Sequence, residues 1–497
     1  MLELLQPGVL VPWMLAMLFG LFVGATPGLT ATMAVALIVP ISFYMPNPTT
    51  GLAMILGVSF TAIFAGDIPA IYLRIPGTPA SAATTLDGHA MALQGRAGYA
   101  LALDLACSCI GGLIGVLLLM FLAPQLARFA LGFSNFEYFW LGVLGLSLSA
   151  AVSSGSTARG LLAAGFGMLL STVGIDVVSG TPRFTFGRSD LMMGVGFIPV
   201  MIGLFGLSEV LRNVRHRAAL SAPSIRTESR LAVRECLRTL RRRFRTVLRG
   251  SFVGTFTGAL PGAGADIAAW AAYGLEQKIS KDPQQFGQGV DDGVIAPASA
   301  HNGAVAGAWI PALVFGIPGD SVTAIVIGAM LMYDLKPGPL IFEQSGGQVQ
   351  NIFAIALITQ FLLLPCGYLG IKTFGAILRL PRNLVLTAVV VFSVVGAFAL
   401  RSSLFDVYVM VAFGVVGFYL ESQRVPVAPL ILGLILGPMV EENLRTGLIK
   451  TGGSFGPFLT RPISLVLWLL LVASFAGPWI ARRLRRTAPS SSDSPTA

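Results

Sequence analysis

Charged residues are scarce in this sequence, and their scarcity excludes most classes of soluble protein. Only 11% of the 497 residues are Asp, Glu, Lys or Arg, whereas about a quarter of a soluble globular domain is charged. Hydrophobic residues make up 55% of the chain, and the mean hydropathy is +0.78. The composition therefore indicates a polytopic membrane protein, whose partners include membrane lipid and not nucleic acid.

Disulfide, zinc and nucleotide motifs are also missing. The four cysteines have neither the number nor the spacing of a disulfide framework or a zinc site, so we expect them to be small apolar core residues. No Gly-Lys pair occurs, which excludes the phosphate-binding loop of an ATP-driven pump from this chain. The first 22 residues lack a basic segment and a cleavage site, so the first apolar segment is expected to remain as a membrane span. We expect no catalytic residue, metal or resident cofactor.

The chain contains long stretches without charged residues. No charged residue lies between Glu3 and Asp67, a gap of 63 positions, and further uncharged runs follow to the end of the chain. Several of these runs are shorter than the roughly 20 residues that a helix needs to cross a bilayer. We therefore predict an all-α polytopic membrane protein with about twelve transmembrane segments, two more or fewer, some of them broken or re-entrant.

Positive charge is concentrated in one segment, residues 212–249. It contains twelve arginines and two glutamates, so its charge of +10 equals the formal net charge of the whole chain. The positive-inside rule predicts a cytoplasmic loop here and at the arginine cluster that begins at Arg482. Binding of anionic lipid headgroups by the loop is an open alternative role. Residues 487–497 are rich in Ser and Pro and are expected to be a disordered tail.

An internal repeat organises the rest of the chain. The same short motifs recur in the same order at offsets of 233 to 242 positions: Gly24–Gly28 matches Gly258–Gly262, Ile75–Gly77 matches Ile317–Gly319, and Glu209–Arg212 matches Glu442–Arg445. We predict two transmembrane repeats, 1–211 and 250–445, followed by a final span in 446–486. Since both basic clusters should be cytoplasmic, the repeats are expected to have inverted topology, as in several secondary-transporter folds.

Each repeat contains a Pro-Gly break followed by small or polar residues. Gly258–Phe342 is too apolar to lie in water and too rich in Gly and Pro to be an ordinary spanning helix. A helix that restarts after such a break presents unpaired N–H groups and a positive dipole end, which suit a carboxylate. The alternative is a kink with glycines for close helix packing. The candidate substrate-binding residues at the two breaks are Pro27, Gly28, Thr30, Thr32, Pro261, Gly262, Ala263 and Gly264.

Polar residues at membrane depth supply the remaining candidates. Asp266 lies just inside the second break, and a carboxylate there by default marks an ion or proton site. It is the candidate for ion coupling, although a charge at a helix N-terminus near the interface is the alternative. His301 and Asn302 lie in an uncharged run of 27 residues and are candidate substrate ligands or packing residues. His89 is expected to lie in a loop.

These residues carry a resemblance to a known family. Gly24–Phe43, Gly258–Phe342 and Leu436–Ile463 closely resemble the large membrane subunit of the bacterial tripartite tricarboxylate transporters. The resemblance implies a permease of the bacterial inner membrane that imports carboxylates such as citrate, driven by sodium or protons. It also implies two partners, a small four-span membrane subunit and a periplasmic solute-binding protein. The chain departs from the family's P-E-A-A-N-N-A pattern, with Ala298 for the glutamate and His301 for the first asparagine.

The sequence leaves two other function classes open, a gated anion channel and an intramembrane hydrolase. A gated anion channel differs from a transporter because it cannot move its solute against a gradient. An intramembrane hydrolase is suggested only by Glu441, Glu442 and Arg445, which loosely resemble the glutamates and arginine of membrane prenyl-protein proteases. No paired-histidine motif accompanies them, and part of the pattern repeats at Glu209–Arg212, so helix-end charges explain it better.

Overall fold

The computed structural model describes residues 2–152, 156–176, 178–215, 232–377, 381–399 and 401–487, and these are almost entirely helical. Two strands of two residues each, Gly174–Ile175 and Pro182–Arg183, pair antiparallel in a loop. Short 3-10 turns occur at Leu2–Leu5, Pro79–Ala82, Ser189–Leu191 and Pro283–Gln285. The expected fold class, an all-α polytopic membrane protein, is confirmed.

The first ten helices in the described part of the chain end at or before Arg215. They are α1 (Pro7–Ala25), α2 (Ala31–Ser42), α3 (Pro48–Ala65), α4 (Asp67–Leu73), α5 (Thr84–Leu93), α6 (Ala97–Ala130), α7 (Asn135–Val152), α8 (Thr157–Ser171), α9 (Phe197–Met201) and α10 (Ser208–Arg215). A π-helical stretch, Ile202–Leu207, joins α9 to α10.

Twelve helices follow in the described part of the chain. They are α11 (Val233–Arg242), α12 (Phe244–Gly258), α13 (Gly264–Ile279), α14 (Asp292–Phe315), α15 (Ser321–Met332), α16 (Ile341–Gln344), α17 (Gly346–Ile377), α18 (Arg382–Ala399), α19 (Leu404–Ser422), α20 (Ala428–Lys450), α21 (Gly456–Thr460) and α22 (Pro462–Thr487).

Six described helical segments are long and apolar enough to cross a membrane. They are Pro7–Ala25, Pro48–Leu73, Ala97–Ala130, Phe197–Arg215, Gly346–Ile377 and Leu404–Ser422. Five shorter apolar helices accompany them, including α2 and α15. Short apolar helices fit the broken-helix interpretation. A helix too short to cross the bilayer ends inside it, where its terminal backbone groups need hydrogen-bond partners. The number of crossings, about twelve, stays a prediction.

The two Pro-Gly breaks are confirmed. In the first repeat α1 ends at Ala25 and α2 begins at Ala31; in the second α12 ends at Gly258 and α13 begins at Gly264. Gly28 and Gly262 lie at equivalent positions of the two breaks and have φ values of +89° and +82°, which glycine adopts without strain. The chain therefore turns in the same way at both places.

The sequence repeat is matched by equivalent packing. A Cβ atom added to Gly24 would lie 2.2 Å from the Ala62 carbonyl oxygen, and one added to Gly258 would lie 2.2 Å from the Ala304 carbonyl oxygen. The glycines of the two Ile-Pro-Gly motifs come equally close to the ends of α1 and α12. A Cβ at Gly77 would lie 2.3 Å from the Gly24 oxygen, and one at Gly319 would lie 2.4 Å from the Gly258 oxygen. Backbone approaches of this kind need glycine, and they make α1 with α3 equivalent to α12 with α14.

The turns that follow these helices are also equivalent. Arg74 follows the last residue of α4 and Gly316 follows the last residue of α14, and both are in the left-handed conformation, with φ of 59° and 69°. The Ile-Pro-Gly motif comes directly after each of them. This agreement supports the two-repeat organisation, while the inverted orientation of the repeats in the membrane stays a prediction.

Other expectations have mixed outcomes. The four cysteines are buried and free, as expected. The prediction that His89 lies in a loop is wrong: the residue belongs to α5 and is buried, with its Nδ1 atom 3.0 Å from the Ile71 carbonyl oxygen. The described parts of the arginine-rich segment are helical, in α10, α11 and α12. Residues 216–231 of that segment and 488–497 of the tail lie outside the described residues.

The glycine contacts generate a paired prediction. We expect Gly77→Ala and Gly319→Ala each to destabilise the protein by about 1–3 kcal/mol, because the new methyl group would overlap a backbone oxygen. Gly165→Ala is the matched control in α8, where an added Cβ meets nothing within 4 Å. The measurement is the Tm of the purified protein in detergent. Wild-type Tm values for both variants would contradict the equivalent close packing.

Candidate functional site

A cavity of about 710 Å³ lies where the N-termini of three helices meet. α2 comes from the first repeat, and α13 and α15 come from the second. The wall includes residues of both Pro-Gly breaks and of both Ile-Pro-Gly turns: Thr30, Thr32, Thr78, Gly262, Ala263, Gly264, Asp266, Asp320 and Ser321. The two repeats therefore contribute matching pieces of chain to one space.

The first repeat contributes two threonines at the start of α2. Thr30 is the N-cap, and its hydroxyl oxygen accepts a hydrogen bond from the backbone N–H of Met33 at 3.2 Å. Its side chain therefore satisfies one of the N–H groups that a helix start leaves free. The hydroxyl of Thr32 lies 3.3 Å from that of Ser321 at the start of α15. This contact links the two repeats at the cavity wall.

The second break is held by a backbone contact and by glycine. The N–H of Gly262 donates to the Gly319 carbonyl oxygen at 2.8 Å, which ties the Pro-Gly break to the Ile-Pro-Gly turn. A Cβ at Gly262 would lie 2.4 Å from the Cα atom of Ser149 on α7. Gly264 also has a positive φ, of +59°, as it opens α13. The chain thus reaches the cavity through positions that tolerate only glycine.

Carboxylates stand at two of the helix starts. Asp320 caps α15: one of its oxygens accepts from the Thr323 N–H at 2.7 Å, and the Thr323 hydroxyl oxygen accepts from the Asp320 N–H at 2.9 Å. Asp266 lies in the first turn of α13. Both side chains belong to the cavity wall. Asp266 is exposed to the cavity and Asp320 is partly buried. Two carboxylates that face one cavity can together bind a cation or a proton.

Arginines and glutamates line one edge of the cavity. Arg212 and Arg424 form part of the wall, together with Glu209 and Glu421. The Arg212 guanidinium donates to Glu421 at 3.0 Å and also pairs with Glu209. Neutralised by its glutamates, Arg212 acts mainly as part of a polar rim. The helix N-termini therefore contribute positive partial charge to a wall that also holds four carboxylates and two arginines.

The structure gathers most, and not all, of the predicted site residues. Thr30, Thr32, Gly262, Ala263, Gly264 and Asp266 line the cavity. Pro27, Gly28 and Pro261 lie in the breaks outside its lining; the Gly28 carbonyl oxygen accepts from the Asn213 amide at 2.9 Å. His301 and Asn302 are fully buried in α14, away from the lining. The functional roles of all these residues stay predictions.

Several residues of the wall were not singled out from the sequence. Thr78, Asp320 and Ser321 follow the two Ile-Pro-Gly motifs directly. The Ile-Pro-Gly motifs indicate the repeat, and the polar residues directly after them indicate the cavity wall. Glu209 and Arg212 likewise belonged to a recurring motif. A break that recurs with polar residues behind it is therefore a better pointer to this site than a lone polar residue in an apolar run.

Two of the three charges that suggested a hydrolase, Glu441 and Arg445, belong to an ion network with Arg183 and Asp176. Arg183 donates to the Glu441 carboxylate, and Arg445 donates to Glu441 at 3.0 Å and to Asp176 at 2.8 Å. The Ser179 hydroxyl and Arg445 hold the pKa of Asp176, which lies in a loop, well below its usual range. The network ties the loop after α8 to α20, which accounts for these charges by structure alone.

Comparison with known proteins places the chain in a family. Residues 10–432 match the model of the "Tripartite tricarboxylate transporter TctA family". An Agrobacterium vitis protein, "Uncharacterized 52.8 kDa protein in TAR-I ttuC' 3'region", is 36% identical over 463 residues, 93% of this chain and 91% of that protein. A second from the same organism, "Uncharacterized protein in TAR-II ttuC' 3'region", is 35% identical over 208 residues, 42% of this chain and 86% of that protein. No solved structure matches. The chain belongs to the tripartite tricarboxylate transporter TctA family.

Proposed function

We propose that this chain is the membrane permease subunit of a binding-protein-dependent secondary transporter that imports tricarboxylates, dicarboxylates or related organic anions. The observation that carries the proposal is the convergence of the α2, α13 and α15 N-termini on one cavity of about 710 Å³. Membership of a transporter family supports transport over catalysis.

The substrate class follows from the chemistry of helix starts. The first turn of a helix has backbone N–H groups without carbonyl partners and carries about half a positive charge. Three such ends around one space favour an anion, and carboxylate oxygens accept hydrogen bonds from N–H groups and hydroxyls alike. Thr32 and Ser321 add hydroxyl groups at the meeting point of the repeats. A di- or tricarboxylate has enough oxygens to contact more than one helix end.

The driving ion follows from the carboxylates. Asp266 and Asp320 face the same cavity as the helix ends, and they would repel an anionic substrate unless a cation or proton neutralised them. Binding of the cation would therefore favour binding of the anion in the same cavity. This is the reciprocal coupling that a symporter needs. We propose sodium or proton coupling at Asp266, within the bacterial inner membrane.

The partners follow from the family. A tripartite system has two further components, and we propose a small four-span membrane subunit and a periplasmic solute-binding protein. The permease would receive its anion from the binding protein and hold it between the two repeats. A channel of the same architecture would conduct without accumulating its solute, so direction against a gradient separates the two.

Uptake by membrane vesicles tests the function. Vesicles that contain this chain and the small membrane subunit, supplied with the binding protein and labelled citrate or dicarboxylates, should accumulate at least one acid against its gradient. Accumulation should require a sodium or proton gradient, and it should be lost when either partner is omitted. Equilibration without accumulation would instead indicate a channel. Full accumulation by this chain alone would contradict the tripartite assignment.

Asp266→Asn tests ion coupling in the same vesicles. The substitution keeps the shape of the side chain and removes its charge, so the half-saturating concentration of the driving ion should rise about tenfold to a hundredfold, as expected for about 1.5–3 kcal/mol of lost interaction with a charged group. Asp282→Asn is the control, since Asp282 is exposed beyond the end of α13. Unchanged ion dependence in Asp266→Asn would show that the cation binds elsewhere.

A further inference from the structure

A second group of titratable side chains lies in the protein core, apart from the cavity. Asp67 opens α4, Asp104 lies in α6 and His301 lies in α14. None of the three side chains is exposed to solvent. A carboxyl oxygen of Asp67, a carboxyl oxygen of Asp104 and a ring nitrogen of His301 lie within 4.8 Å of one another. Three separate helices thus bring two carboxyl groups and an imidazole together inside an otherwise apolar core.

Most polar atoms of this group lack partners within the described part of the chain. The His301 Nε2 atom lies 2.6 Å from an oxygen of Asp67. The other Asp67 oxygen, both Asp104 oxygens and His301 Nδ1 have no hydrogen-bond partner among the described residues. The amide of Asn302, the next residue on α14, is in the same condition. Leaving so many buried polar atoms unpaired would cost several kcal/mol, so the group needs a further binding species.

Asp87 shows how this protein treats a buried carboxylate that has only a structural role. Its oxygens accept a hydrogen bond from the Tyr273 hydroxyl at 2.8 Å and from the backbone N–H groups of Gly287, Gly289 and Val290 at 2.8–3.0 Å. These donors satisfy the negative charge. Asp104 is buried equally and receives no such donor among the described residues. Its environment favours an uncharged carboxyl group.

The surrounding helices offer no counter-charge. Among the described residues no Lys or Arg forms an ion pair with Asp67 or Asp104. α1 and α3 carry no charged residue, and α6 adds the thiol of Cys107 near Asp104. On the other packed helices, His89 lies 3.0 Å from the Ile71 carbonyl oxygen, Arg249 pairs with Glu276, Asp292 contacts Thr246 and Arg243, and Lys372 lies over the Tyr368 ring.

Geometry favours a proton over a metal ion. A metal bound to both His301 and Asp67 at about 2.0–2.1 Å with tetrahedral angles would hold the two ligand atoms about 3.3 Å apart. Their separation is 2.6 Å, which is a hydrogen-bond length and too short for two ligands of one metal ion. The imidazole donates this bond through its Nε2–H, which a neutral ring also has. An Asp104 oxygen and an Asp67 oxygen lie within 4.8 Å of each other, and two buried carboxyl groups this close repel unless one of them is protonated.

Two hydroxyl groups lie between the cavity and the chain next to Asp67. A Cβ at Gly66, the residue before Asp67, would lie 2.5 Å from the Ser81 hydroxyl and 2.6 Å from the Thr78 hydroxyl. These hydroxyls are 2.9 Å apart, and Thr78 lines the cavity. Neither of them hydrogen-bonds to Asp67 directly. Because hydroxyl groups both donate and accept, a bridging water would complete a path for a proton between the cavity and Asp67.

We propose that Asp67, Asp104 and His301 form a proton-binding site in the protein core that exchanges protons with the cavity through Ser81 and Thr78. The loaded site holds a proton on the Asp104 carboxyl group. Release of this proton adds one negative charge to the site, and the proton passes to water in the cavity. A part for this site in driving transport rests on the proposed function, whereas proton binding does not.

Infrared difference spectroscopy of the purified full chain in lipid nanodiscs tests the site without any substrate. Between about pH 9 and about pH 5, a range that covers histidine and strongly shifted carboxyl groups, a protonated-carboxyl C=O band should grow and should shift in deuterium oxide. Asp266 faces the cavity and can also bind a proton, so the comparison is made in an Asp266→Asn background, where adding Asp104→Asn should remove the part of the band that Asp104 contributes. Glu276→Gln is the matched control, because Glu276 is buried and held by Arg249 at 2.5 and 2.7 Å, and it should leave the band unchanged.

Further outcomes decide between alternatives. His301→Gln should move the midpoint of the band by about one pH unit or more, because an amide replaces the imidazole that holds Asp67 beside Asp104. This variant and the wild-type titration keep the proposal testable if Asp104→Asn fails to fold. A wild-type protein without a titrating band, or a band that Asp104→Asn leaves unchanged in folded protein, would overturn the proposal. So would loss of the band on adding sodium at constant pH, which would make the group a cation site.

Discussion

Backbone hydrogen bonding at membrane depth is the constraint on which this structure depends. A helix that stops inside the apolar region leaves N–H or C=O groups that no lipid can satisfy, so it must stop against protein or against a wet space. α2, α13 and α15 all begin at one cavity, and the chain reaches their starts through Gly28, Gly262 and Gly319. The broken helices and the candidate site therefore depend on each other. The breaks expose backbone groups to the cavity, and the cavity gives those groups polar surroundings.

The two repeats contribute equivalent pieces of chain to one cavity. The Pro-Gly break of one repeat packs against the Ile-Pro-Gly turn of the same repeat, with nearly equal approach distances at Gly77 and Gly319. Each half thus offers a helix start and a polar turn, and the Thr32–Ser321 contact joins them. The halves differ in charge, since Asp266 and Asp320 belong to the second repeat and threonines take the matching places in the first. In the proposed function, this difference in charge would let one cavity bind an anion and a cation together.

Local rules recovered part of this from the sequence. Proline stops a helix and glycine permits a positive φ wherever they occur, so the breaks and the residues behind them, Thr30, Thr32 and Asp266, were predictable. Asp320 and Ser321 follow the same logic, although their motif had been used only to detect the repeat. His89 was misplaced because Asp-Gly-His resembles a turn, while packing against α4 keeps α5 helical. The contact of His301 with Asp67 joins residues 234 positions apart, which periodicity and spacing do not reveal.

Substrate protection of a cysteine at the helix junction tests the central claim most directly. The four native cysteines are buried, so Thr32→Cys provides a single reactive thiol at the cavity wall, and Thr460→Cys provides one on an exposed surface. Vesicles with both partners would be treated with a membrane-impermeant thiol reagent, with and without citrate or a dicarboxylate. We predict that a transported acid slows labelling of Thr32→Cys and leaves Thr460→Cys unchanged. Equal labelling of Thr32→Cys with and without an acid that the same vesicles accumulate would show that the anion binds elsewhere.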